Sequence, residues 1–395
     1  MRNLRIGIWT QDNIVATLGG GSGYYSELVE CISKTKFHNA DICFLGEHNS
    51  DINSVGDYKF HSVKNIRQKK FLFLRISGSV LSKIFHIDCI SKIYYETSHK
   101  YMLKQYAELL KICDVIYYPL PMCKYPDFPF ICTLWDLGHL NTFAFPEVTS
   151  YGNFERKRDY HEVTLFKALM VFCESETGKK EAIEYLRLNK DRIKVLPLFP
   201  SRIVSENLIS SKPNMIEESC SFIHYPAQYW AHKNHFNLIF AFSGLTEIYP
   251  NLKLILTGSD QGNKKHITDS IEQFGLSDKV IDLGFVSLPE LKWLYIHSKG
   301  LIMPTLIGPT NMPPLEALAL GCPVAVSDMP GHREQLGDRA LYFDPLNIEG
   351  IKEAIESILN SNSARTVSIV PTVEANMKIL DNYFAELKTI RQLWK

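Results

Sequence analysis

Short apolar runs, rich in β-branched and aromatic residues, alternate with helix-length amphipathic segments from one end of the chain to the other. This alternation is typical of parallel α/β units, in which each buried strand is followed by a helix that crosses back over the sheet. The runs fall into two sets, separated by residues 197–219, which are rich in proline and serine and follow no period. A chain of 395 residues is long enough for two such domains.

The first set of runs predicts six strands with helices between them. The strands are expected at residues 4–9, 41–45, 115–118, 130–134, 169–173 and 193–196. The clearest helices are expected at residues 24–34, 99–111 and 175–186.

The second set predicts six further strands, at residues 221–225, 252–257, 280–283, 300–303, 324–327 and 340–343. We therefore expect an α/β fold with two Rossmann-like, doubly wound domains that face each other across a cleft. The expected parts are an N-terminal domain at 1–197, a linker at 198–219, a C-terminal domain at 220–371 and a terminal helix at 372–395 that packs across both domains and crosses back to the first. Ligands in such folds bind at the carboxyl ends of the strands.

The composition excludes several classes of protein. Lys and Arg together number 43, as do Asp and Glu, so the charge balance does not indicate a nucleic acid as the main partner. The nine cysteines are scattered, which excludes a Cys-x-x-Cys metal clip and a dense disulfide framework. No signal-peptide core and no run of about 18 apolar residues occurs, so we expect a cytoplasmic chain without a transmembrane helix.

A glycine-rich segment at residues 19–23 follows the first predicted strand and leads into the helix expected from Tyr24. Glycine lets a backbone approach a phosphate or sugar closely, and the first N–H groups of a helix attract anions. Gly20 and Gly21 are therefore candidate binding residues, with a flexible turn as the alternative. The spacing is not Gly-x-Gly-x-x-Gly, so a dinucleotide site is not indicated.

Lys233 follows the first strand of the second domain. This position places it at the carboxyl edge of the sheet, where an ammonium group can neutralise a diphosphate. A surface lysine without a role is the alternative. His224, His232 and His235 lie nearby, but no carboxylate or cysteine has ligand spacing with them, so we predict no metal site.

Residues 304–328 carry the strongest signal. Pro313 and Pro314 suit the first turn of a helix, so residues 310–312 would form a loop whose backbone N–H groups face the cleft. Glu316 would lie in the first turn with its carboxylate free to bond a ribose diol. Stabilisation of the helix dipole is the alternative interpretation.

These segments resemble the retaining, nucleotide-sugar-dependent glycosyltransferases with the GT-B architecture, those of glycosyltransferase group 1 (family 4). The resemblance spans nearly the whole chain and is most specific over residues 225–345. Residues 308–316 are similar to a branch of the family whose Glu-x7-Glu element reads Gly-Pro-Thr-Asn-x-Pro-Pro-Leu-Glu. The resemblance implies that Lys233 binds the donor diphosphate and Glu316 the ribose hydroxyls.

The resemblance also implies donor contacts through the backbone. The N–H groups of Asn311, Met312 and Leu315 would bind the sugar and phosphate, since the prolines between them have no N–H to donate. Gly258 lies in a turn that the family places after a strand at the donor site. Val286 lies where family members touch the nucleobase.

Two positions depart from the family's pattern. Gly308 stands where the first glutamate of the Glu-x7-Glu element is expected, and Gln228 replaces the usual phosphate-binding arginine. Gln228 remains a donor-site candidate, and Asn311 or Thr310 would supply the hydrogen bond that the missing glutamate makes to the sugar. The departures also motivate an alternative function, a non-catalytic scaffold or partner subunit with the same fold.

In the N-terminal half, residues 132–139 resemble the family's Thr-x-His-Asp loop, which lines the reacting anomeric carbon. Asp136 matches the aspartate, Trp135 takes the position of the histidine, and His139 is a candidate to replace it. A structural loop histidine is the alternative. Residues 174–176 follow another strand and are expected to cap the next helix.

A basic stretch with interleaved apolar residues, 59–104, is a candidate for membrane contact. Such segments bind anionic lipid headgroups reversibly, and a solvated face over ordinary core residues is the alternative. The candidate contact residues are Lys64, Arg67, Lys69, Lys70 and Arg75.

Together with these residues, the resemblance implies a metal-independent, retaining hexosyltransferase that needs no cofactor; the absence of an Asp-x-Asp pair agrees with a site without a divalent metal. The resemblance also implies that it transfers a sugar to a glycan or lipid-linked acceptor during synthesis of bacterial surface polysaccharide such as O-antigen or capsule. GDP-mannose is the first candidate donor, with dTDP-rhamnose and UDP-sugars as alternatives. We expect it in the cytoplasm, peripheral to the inner face of the membrane, with no nucleic acid partner. A nucleotide-sugar epimerase or a phosphorylase is the alternative enzyme.

Overall fold

The computed structural model describes residues 2–11, 20–47, 54–63, 103–142, 145–217, 219–361 and 365–392. Within these ranges the strands form two separate sheets, one from residues 4–195 and the other from residues 221–343. Each sheet is covered by helices, so the expected pair of doubly wound α/β domains is confirmed.

The first sheet contains β1 (Leu4–Thr10), β2 (Ala40–Gly46), β3 (Ser54–Val55), β4 (Tyr58–Ser62), β5 (Val115–Tyr118), β6 (Phe130–Thr133), β7 (Met170–Cys173) and β8 (Ile193–Val195). Its order is β3-β4-β2-β1-β5-β6-β7-β8, and only the β3–β4 pair is antiparallel among the described strands. Both faces are buried, because Ile6 and Ile8 join one core cluster and Trp9 joins the other. A sheet covered on both faces needs nearly continuous apolar strands, which explains the runs in the sequence.

The second sheet contains β9 (Ser221–Pro226), β10 (Leu252–Thr257), β11 (Val280–Asp282), β12 (Leu301–Met303), β13 (Val324–Ser327) and β14 (Leu341–Phe343). All neighbours are parallel in the order β11-β10-β9-β12-β13-β14. From β9 the chain adds β10 and β11 on one side of the sheet and then β12, β13 and β14 on the other. The strand order thus reverses between β9 and β12, and in such sheets a crevice opens outside the carboxyl ends of these two strands.

The helices of the described ranges connect and cover these strands. They are α1 (Gly20–Lys34), α2 (Gly138–Asn141), α3 (Pro146–Thr149), α4 (Asn153–Asp159), α5 (Glu176–Leu186), α6 (His235–Ser243), α7 (Lys264–Gln273), α8 (Leu288–His297), α9 (Met312–Ala319), α10 (Pro330–Leu336), α11 (Ile348–Asn360) and α12 (Val373–Gln392). Residues 103–112 are also helical. The expected cap of α5 is confirmed, since the Ser175 hydroxyl accepts a hydrogen bond from the Gly178 N–H.

The twelve predicted strands are all present, with ends that differ by at most one residue. The β3–β4 hairpin was missed because its strands are short and partly exposed at the sheet edge, so they lack a clear apolar pattern. The expected start of α1 at Tyr24 is wrong, since the helix begins at Gly20. Gly21 packs against the ring of Trp135, where an added Cβ would lie 2.5 Å from a ring carbon. The glycines from Gly20 therefore lie in the first turn of the helix, where Gly21 packs against that ring.

The C-terminal helix α12 returns to the first domain. The Phe384 and Phe37 rings lie 5.5 Å apart, and the Tyr383 hydroxyl donates to the Val195 carbonyl at 2.8 Å. The Asp381 carboxylate accepts from the backbone N–H of Asn39 at 3.0 Å. These contacts hold α12 against the segment before β2 and the end of β8.

The segment 198–219, expected as a linker, packs closely against the second domain. Ile203 and Ile216 are buried, and the Lys292 ammonium of α8 donates to the carbonyls of Ser205 and Leu208 at 2.6 and 2.9 Å. A lysine that bonds two loop carbonyls holds the segment in place despite its lack of regular structure.

The two domains also contact each other directly. The Glu334 carboxylate of α10 accepts from the backbone N–H groups of Glu176 and Thr177, at 2.6 and 2.8 Å. These N–H groups begin α5 of the first domain, where a carboxylate is favoured by the helix dipole. A residue of the second domain thus supplements the N-terminal cap of a helix in the first.

No helix of the described ranges is both long and apolar enough to cross a bilayer. The candidate membrane-contact residues Lys64, Arg67, Lys69, Lys70 and Arg75 lie outside the described residues. Their role stays a prediction.

Replacement of Phe384 by alanine tests the docking of α12. The ring is fully buried, so Phe384→Ala should lower the free energy of unfolding by about 3–5 kcal/mol, the usual cost of deleting a core phenylalanine. Urea denaturation measures the change. Asn382→Ala, at an exposed position of the same helix, serves as the control, and an equally small effect of both variants would contradict the docking.

Candidate functional site

Lys233 lies in the crevice of the second sheet, between the ends of β9 and β12. It closes the short turn Ala231–Lys233, and its Nζ lies 3.3 Å from Asn311 Oδ1 and 3.5 Å from Thr305 Oγ1. Asn234 follows in the left-handed conformation that asparagine tolerates, and its amide donates to the Pro304 carbonyl at 3.0 Å. This amide fixes the turn after β9 to the chain after β12.

The amide of Asn311 has its orientation set by His332. The Nδ1 atom of His332 lies 2.8 Å from the Ser327 carbonyl, which can only accept, so Nδ1 carries the proton. The other ring nitrogen, Nε2, must then accept from Asn311 Nδ2 at 3.0 Å. Burial keeps the ring neutral, since it lowers the pKa of His332 to about 4. Asn311 Oδ1 is thereby directed to Lys233.

The loop before α9 is also held through its backbone. The Asn311 N–H donates to Gln335 Oε1 at 3.1 Å, and Gln335 Nε2 donates to the Asn311 carbonyl at 2.9 Å. Gly331 allows α10 to approach this loop, because an added Cβ would lie 1.6 Å from the Pro309 carbonyl oxygen. The N–H of Asn311, expected to face a ligand, is therefore bonded to Gln335.

The electrostatic state of Lys233 follows from its surroundings. Both contacts of its ammonium are with neutral oxygens. Burial lowers the pKa of Lys233 to about 8, and the negative charges of Asp136 and Glu147 oppose this fall. An anion placed in contact with Nζ would stabilise the charged form further. The site is thus suited to bind a negatively charged group.

The first domain contributes Asp136 to the same cleft. Asp136 Oδ1 accepts from the Gly138 N–H at 2.9 Å and lies 3.6 Å from Lys157 Nζ. Gly138 brings the loop close to the second domain, since an added Cβ would lie 2.6 Å from Ile307. The negative charge of Asp136 also raises the pKa of Lys233. This effect, together with the short distance between Gly138 and Ile307, agrees with the expectation that Asp136 and Lys233 line one cleft.

A second contact between the domains lies beside Lys233. Glu147 Oε1 accepts from both the backbone N–H and the Nδ1 of His232, at 2.9 and 2.6 Å. Burial lowers the pKa of His232, and the bond to Glu147 opposes that fall. Sequence reasoning missed Glu147, His332 and Gln335, because none belongs to a recognised motif. His332 and Gln335 follow β13, so the rule that strand ends carry function could have indicated them.

Glu316 is buried rather than open to the cleft. Its two oxygens accept from the Ser201 hydroxyl at 2.5 Å and from the Tyr295 hydroxyl at 3.0 Å. Burial raises the pKa of Glu316, and the two hydroxyls oppose the rise. In this conformation the expected ribose contact would require a ligand to replace one of these hydroxyls.

The other donor-site candidates of the second domain surround the ends of β9 and β10. Gln228 bridges the two ends, because Nε2 donates to Ser259 Oγ at 3.0 Å and Oε1 accepts from Trp230 at 3.1 Å. Gly258, with a φ of 150°, is required there, since a Cβ would lie 2.2 Å from the Ala227 carbonyl oxygen. Val286 is half-buried beside a small core cluster.

The candidates near α9 divide between packing and polar roles. Leu315 is fully buried and Met312 nearly so, so their side chains belong to the core and any ligand contact would use the backbone. Thr310 is buried, and its side chain opposes the rise that burial causes in the pKa of Glu174 in the first domain. Gly308 has a φ of 107°, which favours glycine at the position where the family has glutamate.

His139 lies inside the first domain. Its ring stacks on His161 with the ring centroids 4.7 Å apart, and burial lowers the pKa of His139 to about 4. The ring also contacts Phe154. These contacts favour the structural interpretation of His139 over a sugar contact.

Two further histidines near the end of β9 form ring contacts. His224 packs against Tyr295, and His235 stacks on Tyr229. Throughout the described ranges, no group of three or more His, Cys, Asp or Glu side chains is placed to hold a metal ion.

Comparison with known proteins supports the resemblance seen in the motifs. Residues 209–369 match the family model of glycosyl transferases group 1. The O-antigen chain mannosyltransferase RfbU of Salmonella typhimurium is 33% identical over 129 residues, which cover 33% of this chain and 36% of that protein. The serotype-specific mannosyltransferase WbdA of Escherichia coli is 27% identical over 205 residues, 50% of this chain and 25% of that protein. The chain thus spans about a third of the length of RfbU and a quarter of the length of WbdA.

Solved structures extend the likeness to both domains. Sucrose-phosphate synthase from Thermosynechococcus elongatus aligns over 99% of each chain, with a TM-score of 0.62 and 16% identity. Anabaena HepE, solved in complex with UDP and glucose, aligns over 99% of this chain and 98% of its own, with a TM-score of 0.58 and 15% identity. At such identities the likeness shows the fold alone, and the expected GT-B architecture is confirmed.

The buried carboxyl of Glu316 predicts a pH-dependent effect of substitution. Because its pKa is raised in the folded protein, this group stabilises the fold below its unfolded pKa of about 4.3, and the contribution is lost as the pH rises through the folded pKa. Glu316→Gln removes the titration, and the hydroxyls of Ser201 and Tyr295 can rotate to suit the amide. The melting temperature of the variant, relative to the unaltered protein, should therefore increase with pH.

Thermal unfolding between pH 4.5 and pH 8 measures this difference. Glu353→Gln, at an exposed position of the same domain, controls for the loss of one carboxylate. A difference between Glu316→Gln and the unaltered protein that stays constant over this pH range would contradict the assignment.

Proposed function

We propose that this protein is a retaining hexosyltransferase, which transfers a sugar from a nucleoside diphosphate sugar to a glycan or lipid-linked acceptor. The second domain would bind the donor and the first domain the acceptor. The mannosyltransferase names of the two curated relatives support mannose, carried by GDP, as the transferred sugar. They also support a place in the synthesis of a bacterial surface polysaccharide.

The observation that carries this proposal is the cation at Lys233. It lies at the point where the strand order of the second sheet reverses, within the residues that match the family. Among the described residues its ammonium is hydrogen-bonded to neutral oxygens, and the amide beside it is held in one orientation by His332. A diphosphate needs such a preformed positive site in a crevice.

The reaction would follow from the charge that develops on the leaving group. As the bond between the anomeric carbon and the diphosphate breaks, negative charge accumulates on the phosphate oxygen beside Lys233, and the ammonium stabilises it. The acceptor hydroxyl would attack on the face that the diphosphate leaves and pass its proton to the departing phosphate oxygen, so the anomeric configuration would be retained. Glu147 of the first domain contacts His232 of the second beside this site, and closure of the cleft there would limit the access of water.

Membrane contact and independence from metal ions form part of this proposal. The basic stretch around Lys64 and Arg75 would hold the protein at an anionic membrane surface on the cytoplasmic side, near a lipid-linked acceptor. The leaving group would be stabilised by Lys233 rather than by a divalent cation. Transfer activity in the presence of a chelator tests the independence from metal ions.

Nucleotide binding provides the direct test. Thermal unfolding is measured with GDP, UDP and dTDP for the unaltered protein, for Lys233→Ala and for Lys265→Ala, whose lysine is exposed and paired with Asp269. One nucleotide, at 100 times its dissociation constant, should stabilise the unaltered protein and the Lys265→Ala control by about 2.7 kcal/mol. Lys233→Ala should show little stabilisation. Equal stabilisation of all three proteins would contradict the role of Lys233.

Turnover separates an enzyme from a scaffold. With the matching nucleotide sugar and a mixture of glycan and lipid-linked acceptors, Lys233→Ala should lower the transfer rate about 100-fold, or about 2.7 kcal/mol in transition-state stabilisation. The anomeric proton signal of the product should show the configuration of the donor. Nucleotide binding without transfer, together with transfer restored by a partner chain, would favour the scaffold.

A further inference from the structure

The ring of His232 lies where the two domains meet and is held there by one of its nitrogens. Its Nδ1 atom lies 2.6 Å from Glu147 Oε1, and its backbone N–H donates to the same oxygen at 2.9 Å. The ring of Phe145 contacts the imidazole edge-on, with the ring centroids 6.3 Å apart. Glu147 and Phe145 both belong to the first domain. The imidazole therefore lies in the cleft between the domains, next to Lys233 in the chain.

The contact with Glu147 decides which nitrogen of His232 carries the proton. Burial alone would raise the pKa of Glu147, but the two hydrogen bonds from His232 outweigh it and hold that pKa below its usual value. The group is thus a carboxylate, which can only accept, so Nδ1 must donate. Burial also lowers the pKa of His232, so the ring is neutral near pH 7. In a neutral ring with its proton on Nδ1, Nε2 can only accept.

The second nitrogen, Nε2, is available to a ligand. It makes no hydrogen bond with any residue that the structure describes, and the side chain of His232 keeps 15% of its surface exposed. His332, by contrast, uses both of its ring nitrogens within the protein. A histidine that a carboxylate orients through Nδ1 while Nε2 stays open is the arrangement with which enzymes accept a proton from a hydroxyl group.

The imidazole is fixed beside the proposed diphosphate site through its backbone as well. The His232 carbonyl accepts from the Leu306 N–H at 2.8 Å, which ties the turn that carries Lys233 to the chain after β12. Apart from burial and the bond to Glu147, two charges of the cleft act on the pKa of His232: Lys233 lowers it and Asp136 raises it. The ring thus lies within electrostatic range of groups from both sides of the cleft.

We infer that His232 is a catalytic residue that carries the proton of the acceptor hydroxyl to the departing phosphate oxygen, an inference that rests on the proposed function. As the hydroxyl oxygen bonds to the anomeric carbon, its O–H bond breaks and the proton moves to Nε2. The bond between the anomeric carbon and the phosphate oxygen breaks, and both of its electrons stay with that oxygen. Nε2 then gives the proton to the same oxygen, so the ring is neutral again and no further reactant is needed.

Glu147 acts through His232 and is a positioning residue. It fixes the tautomer of the ring, and its carboxylate, 2.6 Å from Nδ1, stabilises the positive charge that the ring carries while it holds the proton. Glu147 belongs to the first domain and His232 to the second. The proton carrier is therefore complete only when the domains meet, so a donor bound in an open cleft is not yet activated for attack.

His232→Asn tests the proton carrier. The asparagine amide can donate to Glu147 in place of Nδ1 but has no nitrogen that takes up a proton. With GDP-mannose and the mixture of glycan and lipid-linked acceptors, kcat for release of GDP should fall about 100-fold, while KM for GDP-mannose stays within about twofold. UDP-glucose or dTDP-rhamnose replaces GDP-mannose if the nucleotide panel selects another base. His266→Asn, at an exposed position of α7, is the matched control and should react as the unaltered protein does.

The pH dependence separates a proton carrier from a contact that only joins the domains. In the unaltered protein kcat/KM should fall in acid, because protonation of Nε2 leaves it unable to accept. His232→Asn should lose this fall. Glu147→Gln removes a charge that raises the pKa of His232, so the fall should move to lower pH. Glu147→Gln therefore reports on the inference even if His232→Asn fails to fold.

The outcomes distinguish this inference from the proposed function. An unchanged kcat in His232→Asn, with normal binding of GDP by calorimetry, would overturn the proton carrier and leave the proposed function standing. A reduced kcat whose fall in acid persists in His232→Asn, or a fall that does not move in Glu147→Gln, would also overturn it, because the contact would then be structural. Failure of the unaltered protein to bind any nucleoside diphosphate would overturn both.

Discussion

A lysine ammonium in a crevice, whose hydrogen-bond partners in the described part of the chain are neutral oxygens, is the constraint on which the rest of the site depends. Burial disfavours the charged form of Lys233, so the structure must offset part of that cost without a carboxylate in contact. It does so with two oriented dipoles. Asn311 Oδ1 is aimed by His332, and Thr305 Oγ1 is aimed because its own proton goes to the Ile307 carbonyl at 3.0 Å. A bound diphosphate would supply the missing negative charge.

The same cluster links the domains to each other. His232, which contacts Glu147 of the first domain, is the neighbour of Lys233 in the chain. Glu334, which holds the start of α5, is the neighbour of Gln335, and Gln335 clamps the backbone of Asn311. The residues that join the domains are thus adjacent to those that shape the cation site. Separation of the domains would remove these contacts and, with them, the enclosure of the cleft.

The sequence was sufficient for the fold because both sheets are parallel and buried on two faces. Each strand has to be an apolar run, and a domain that starts with β9 requires Lys233 to lie near the end of that strand. The hairpin of β3 and β4 lacked that pattern, so it was missed. Gly21 stays a predicted ligand contact, and in the structure it also packs against the Trp135 ring, a neighbour that no local pattern could indicate because it is so distant in the chain.

The polar partners at the site were the least predictable part. The approximate position of Glu316 followed from the helix start, but its bonds to Ser201 and Tyr295 depend on a linker and a helix that only the tertiary fold brings together. The same holds for His332, which lies 21 positions from Asn311 in the chain. A motif specifies which residue types occur at a strand end. The orientation of a side chain is decided by neighbours from other strands, which one sequence does not identify.

The central claim is that Lys233 is the cation that receives the diphosphate, and its own ionisation tests this most directly. Carbon-13 NMR of labelled lysine side chains, with the Lys233 signal assigned by its loss in Lys233→Met, gives the pKa with and without the nucleoside diphosphate that stabilises the protein. The account predicts a pKa of about 8 in the free protein and a clear rise on binding, because a contacting anion favours the charged form. A signal whose pKa does not change when the nucleotide binds would contradict the account.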